Sequence, residues 1–113
     1  MKRTLTTVVL ALGLLLALSA CTQDQASLSA IKQAFPSSQY SKAVQVATCE
    51  SGLDPTAVSA GGGNWGLFQI NKVHEPTLRQ MGYSWDQITD PVVNAKLARS
   101  IYDTSGWRAW SCN

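Results

Sequence analysis

The segment that most limits what this chain can fold into is one expected to take no part in the fold. Met1-Lys2-Arg3 is followed by an apolar run from Val8 to Ala20, the basic n-region and hydrophobic h-region of a secretory signal. A membrane-spanning helix needs roughly 20 apolar residues, and this run is shorter and turns polar directly after Ala20-Cys21. Export with cleavage is therefore the expectation for residues 1–20. Their removal from 113 leaves 93, enough for one hydrophobic core but not two. Every functional expectation has to fit one small unit.

Charge narrows the ligand classes. Lys2 and Arg3 leave with the signal, so nine basic residues become seven against seven acidic ones, and the formal net charge falls from +2 to zero. No basic stripe of the kind that binds nucleic acid remains. Four tryptophans and three tyrosines suit a neutral, stackable ligand such as carbohydrate better than phosphate. His74 is the only histidine and has no Cys, His or acidic cluster at ligand spacing, so no metal or other cofactor is expected. Gly61-Gly62-Gly63 lacks the Lys-Ser or Lys-Thr and the preceding strand of a phosphate loop, and reads as a mobile loop.

Leu18-Ser19-Ala20-Cys21 resembles the lipobox of bacterial lipoproteins. The resemblance implies cleavage before Cys21, diacylation of its sulfur and acylation of its new amine. Two or more acyl chains anchor stably where one does not, since each buried CH₂ contributes about 0.8 kcal/mol. The residues alone leave open a simple cleaved signal with Cys21 as a spare thiol. With Cys21 lipidated, Cys49 and Cys112 are left, and an oxidising compartment would join them in a disulfide. Residues 21–26 are then a lipidated tether, with Thr22 to Gln25 a short polar spacer, and residues 27–113 the domain. Thr22 is not the aspartate of inner-membrane retention. The anchor is thus expected in the inner leaflet of an outer membrane or, in a single-membraned cell, on the external face.

Within the domain, Ser27 to Phe35 is expected to form a short helix stopped by Pro36, and Ser41 to Ser51 a second one ended by Gly52. On the second, Ala43, Val46, Ala47 and Glu50 fall at i, i+3, i+4 and i+7, so the glutamate continues an apolar stripe. Asp54-Pro55-Thr56-Ala57 reads as a helical turn with an Asp cap. Trp65 to Asn71 reads as a short extended segment or hairpin, and Glu75 to Met81 as a short helix ended by Gly82. Ser84 with Gln87 has the pattern of a capping box. Asp90-Pro91 opens the strongest helix, with Val93, Leu97 and Ile101 at four-residue spacing until Ser105-Gly106.

Cys49-Glu50-Ser51-Gly52-Leu53-Asp54-Pro55-Thr56-Ala57, followed by Gly66-Leu67-Phe68-Gln69-Ile70-Asn71, resembles the lytic transglycosylase branch of the lysozyme-like superfamily and is also similar to goose-type lysozymes. The likeness covers most of residues 41–112. It implies a mainly α, lysozyme-like α+β fold with a small hairpin or loop lip and one disulfide. It also implies that Glu50 is the catalytic acid, ending a helix at the floor of a groove that binds peptidoglycan glycan strands. By the same resemblance Gln69 and Asn71 offer amides to the substrate, and Tyr102 matches a tyrosine placed near the glutamate. Trp65 either stacks on a sugar or packs the hairpin. The Ala-Tyr-Asn segment usual in the family is absent; Trp107 to Cys112 stands in its place and is similar to the end of animal-type lysozymes.

The chemistry asks for such a glutamate. Cleaving a glycosidic bond needs a proton donor for a poor leaving oxygen, and an apolar helix face favours the protonated form of a carboxyl. From periodicity alone, a helix-end carboxylate paired with an arginine is an equal reading. A two-carboxylate glycosidase needs a second acid roughly 5 to 9 Å away, and residues 63–72 contain none. The expectation is a lytic transglycosylase cutting the MurNAc-GlcNAc bond with Glu50 as acid and base. The alternatives are a muramidase, a non-catalytic glycan-binding or regulatory lipoprotein, and a purely structural envelope protein.

Overall fold

The computed structural model describes residues 22–113. The signal segment and the lipidation site at Cys21 lie outside them. Helix α1 covers residues 22–34 and breaks at Pro36, whose extended backbone (φ −65°, ψ 155°) turns the chain into α2, Ser37–Ser51. Gly52 ends α2 in the left-handed conformation at φ 66°, its N–H donating to the Thr48 carbonyl. A two-stranded antiparallel hairpin follows, β1 (Asn64–Trp65) with β2 (Ile70–Asn71), in the register Asn64 to Asn71 and Trp65 to Ile70. Short helix α3 is Glu75–Gln80, and α4 is Pro91–Ser105. Single 3₁₀ turns sit at Lys72–His74, Trp85–Gln87 and Trp107–Ala109.

The apolar faces meet in one core. Ala30, Ile31 and Phe35 from the α1 side, Ala43, Val46 and Ala47 of α2, and Val93, Leu97 and Ala98 of α4 close around Leu67 and Phe68 of the hairpin loop. Helix α4 starts where the sequence places it: the Asp90 carboxylate accepts from the Val92 N–H, and Pro91 occupies the first turn, where its missing N–H costs nothing. The Ser84–Gln87 capping box forms as expected. Arg99 on α4 donates to the Ala34 carbonyl at 2.9 Å, satisfying the end of α1 and pinning the two helices together.

Three local details differ from the sequence reading. Residues 22–26, read as a short polar tether, are helical and continue α1. Gln23 Nε2 donates to Asp54 Oδ1, and the fully buried Ser27 donates to the Leu53 carbonyl. Helix α2 begins at Ser37 rather than Ser41 because Pro36 already sets the entry angle. Asp54 to Ala57 is not a helical turn: Asp54 Oδ1 accepts from both the N–H and the hydroxyl of Thr56, an Asx turn that competes with helix.

The molecule is thus mainly helical with a small hairpin and one disulfide. Cys49 and Cys112 are bonded, with Cα atoms 5.9 Å apart and 63 residues between them in sequence. A loop of that length is stabilised by about 4 kcal/mol on the chain-entropy account. No helix of the described residues is long and apolar enough to cross a membrane.

Candidate active site

Glu50 leaves the last turn of α2 half-buried and lines an open cavity of about 150 Å³. Asn64, Gln69, Ile70 and Asn71 of the hairpin form one wall. Ala109, Trp110 and Ser111 of the tail form another, and His74 and Ile101 complete the lining.

The two residues after the catalytic candidate lock its helix to the hairpin. Ser51 Oγ lies 2.7 Å from the Leu67 carbonyl and 3.1 Å from the Ala47 carbonyl, so it ties the end of α2 to the loop between the strands. Gly52 then lets the chain leave. The hairpin loop is itself tightly turned: Gly66 has φ 78° and Gln69 has φ 48°. Gln69 tolerates that conformation because its amide nitrogen donates to the carbonyls of Ala57 and Gly66, both at 3.0 Å. Beneath the loop lies Asn94, fully buried on α4. Its Oδ1 accepts from the Phe68 N–H, and its Nδ2 donates to the carbonyls of Trp65 and Ile88. One side chain so satisfies three backbone groups that the turn would otherwise leave unpaired. Gly66 is required there, since a Cβ would overlap the Asn94 amide and come 2.8 Å from the Ile88 carbonyl.

On the tail side, Trp110 is buried and donates its indole N–H to the Phe68 carbonyl at 3.0 Å. Trp107 donates to Gln39 Oε1 of α2 at 2.8 Å and stacks on Phe35 at 5.3 Å between ring centroids. The disulfide joins Cys112 to Cys49, the residue immediately before Glu50.

Of the residues expected to act together, Glu50, Gln69 and Asn71 share the cavity. Asn71 is engaged locally as well: its Nδ2 donates to Asn64 Oδ1, and its Oδ1 accepts from the Val73 N–H. Trp65 and Tyr102 are not among the lining residues. Trp65 donates to the Gly62 carbonyl and meets Trp85 edge-on, packing the hairpin. Tyr102 packs against Phe35 and Trp107, with ring centroids 5.8 and 4.7 Å apart. Asn64, His74, Ile101 and the tail residues were not expected there. The register partner of Asn71 was the one available signal, and it points to Asn64.

Among the described residues, no second carboxylate lines the cavity. Asp54 is held by Gln23 and Thr56 instead. Nor does any group of three His, Cys, Asp or Glu among the described residues have the arrangement of a metal site.

A family model described as "Lysozyme like domain" matches residues 27–112. The chain belongs to the lysozyme-like domain family. The match takes in both walls of the cavity and the half-cystines behind them, so this lysozyme-like domain runs from α1 to the tail. Its kind of function is peptidoglycan-lytic, by glycosidase or transglycosylase chemistry. Neither the search of curated proteins nor that of solved structures found a match.

Proposed function

We propose that the chain is an exported lipoprotein whose lysozyme-like domain acts as a lytic transglycosylase on the MurNAc-GlcNAc bond of peptidoglycan. The observation that carries this reading is the position of Glu50: one half-buried carboxyl in a cavity whose other described lining groups are amides, an imidazole, a hydroxyl and apolar side chains. A lone carboxyl can serve both halves of the reaction. Glu50 gives its proton to the glycosidic oxygen as the C1–O bond breaks and positive charge develops at C1 of the muramic acid. The resulting carboxylate takes the proton from the C6 hydroxyl of the same sugar as O6 bonds to C1. The acid is regenerated, no water is consumed, and the product ends in a 1,6-anhydro ring.

The fixed walls support this assignment. The hairpin amides are held by hydrogen bonds and the tail by its rings and the disulfide, so they can orient a sugar without reorganising as it binds. Placement follows from the lipobox resemblance: Cys21 carries the acyl chains, and the domain works on an outward-facing leaflet, either the inner leaflet of an outer membrane or the external face of a cell membrane.

The test is mass spectrometry of products released from purified peptidoglycan by the full chain, beside Glu50→Gln. Anhydro-ended fragments that fall at least about a hundredfold in the variant are expected, the usual scale for loss of a general acid. The variant should melt within about 2 °C of the parent, because it keeps size and shape. Reducing ends in place of anhydro ends would make the domain a muramidase. Fragment release unchanged in Glu50→Gln would sink the catalytic assignment, and release by neither protein would favour a binding or regulatory role. Labelling with radioactive palmitate, lost in Cys21→Ala, tests the anchor.

A further inference from the structure

A second cavity of about 150 Å³ opens beside the first, between α3 and α4. It shares His74 and Ile101 with the Glu50 cavity, and its remaining lining is Thr77, Ser100, Thr104 and Ser105. The hairpin amides of the first cavity and the polar groups of the second differ in how they are used. In the Glu50 cavity, Gln69 and Asn71 have their amide nitrogens bonded to other parts of the hairpin region. In the second cavity, the side chains of His74, Thr77, Ser100 and Ser105 make no hydrogen bond within the described residues; only the Thr104 hydroxyl donates, to the Ser100 carbonyl. Half-buried donors left available around a cavity mark a place where a ligand can complete them.

The character of that lining selects the ligand. No Trp, Tyr or Phe lines the second cavity, so it lacks the broad apolar face on which a pyranose stacks. No carboxylate is among its lining residues either. Hydroxyls and an imidazole N–H are donors that suit a carboxylate, and bonds to an ionised acceptor are the stronger kind. In peptidoglycan the carboxylates belong to the peptide that branches from the lactyl group of muramic acid. A branch from a sugar beside Glu50 would pass His74 and Ile101 to reach this cavity.

We propose that the cavity between α3 and α4 is a stem-peptide site, with Thr77 and Ser100 receiving a peptide carboxylate and His74 standing at the junction with the glycan cavity. The domain then selects strands that still carry peptides over strands stripped by an amidase. This rests on the reading of the first cavity as the glycan site.

The experiment is titration calorimetry of the full chain as Glu50→Gln, which leaves the probe intact, against two soluble ligands. One is the GlcNAc-MurNAc disaccharide bearing a tetrapeptide; the other is the same disaccharide with the peptide removed. Binding at least about tenfold tighter to the peptide-bearing ligand is expected, roughly one charge-assisted hydrogen bond. Adding Thr77→Val with Ser100→Ala, two positions that line only the second cavity, should bring the ratio below about threefold. A thermal melt confirms that the double variant is folded. Equal affinity for the two ligands, including no measurable binding of either, overturns the proposal, as does a preference that survives the double variant. Product release from whole peptidoglycan by the parent chain is scored separately. A peptide preference without product release would remove the enzymatic reading and leave the peptide site standing.

Discussion

The hairpin and the tail face each other across Glu50, yet they are held in place by different physics. Residues 64–71 are fixed by polar bonds converging on their backbone: Asn94 from below, Ser51 from the side, and Gln69 from within. Residues 107–112 are fixed by buried rings and a covalent bond, with two indole N–H groups as the polar component. The hairpin sends Leu67, Phe68 and Ile70 into the core, but its tight turn through Gly66 and Gln69 leaves backbone groups that packing cannot satisfy, so polar bonds must finish the work. The tail has large rings and needs only its end secured. A small domain can thus build an ordered site without a large sheet, provided each wall is held in the way its composition allows.

The comparison breaks most visibly at the disulfide. Cys49→Ser with Cys112→Ser should cost about 4 kcal/mol in a urea titration, from the entropy returned to the unfolded chain. If the tail is also held by its rings, Trp110 fluorescence in the folded protein should keep its buried emission. A fully exposed spectrum would mean that the covalent bond alone holds this wall.

Asn94→Ala should come next, at about 3 kcal/mol by the same titration, because it leaves a buried N–H and two carbonyls unpaired and opens a void. A loss under about 1 kcal/mol would show that water replaces the amide and that the hairpin does not depend on it. Gly66→Ala should lose about 2 kcal/mol through the same contact, and combining it with Asn94→Ala should be less than additive. The smallest effect is expected from Gln39→Ala, which removes only the acceptor for the Trp107 indole, at about 1 kcal/mol.

The same contrast explains what was legible in the sequence. Helix α4 could be bounded because its start and stop signals are local: Asp90, Pro91 and Gly106 act within one turn of where they sit. Glu50 could be placed on a helix face by counting from Ala43, and the half-cystine pair followed once Cys21 was assigned to lipid. Asn94 could not be found in this way. An asparagine among Val93, Ala95 and Leu97 looks like a flaw in an apolar face, and its partners Phe68 and Trp65 lie 26 and 29 residues upstream. The first turn of α1 was missed for the opposite reason. Thr22 to Gln25 are all exposed, so no apolar period reveals the helix, and what secures it is the long-range pair of Gln23 with Asp54 and Ser27 with Leu53. Tyr102 took its expected role from resemblance alone, and the packing of its ring on Trp107 of the aromatic tail could not be read from spacing.

Helix α1 reaches residue 22, one position from Cys21. An acylated Cys21 would therefore hold the domain on a crank arm instead of a leash. The cleft would sweep a surface at nearly constant height above the lipid, with its mouth turned by the helix axis. On the proposed function, such mounting would trade search volume for aim, because strands at the matching level would be met repeatedly in the same attitude.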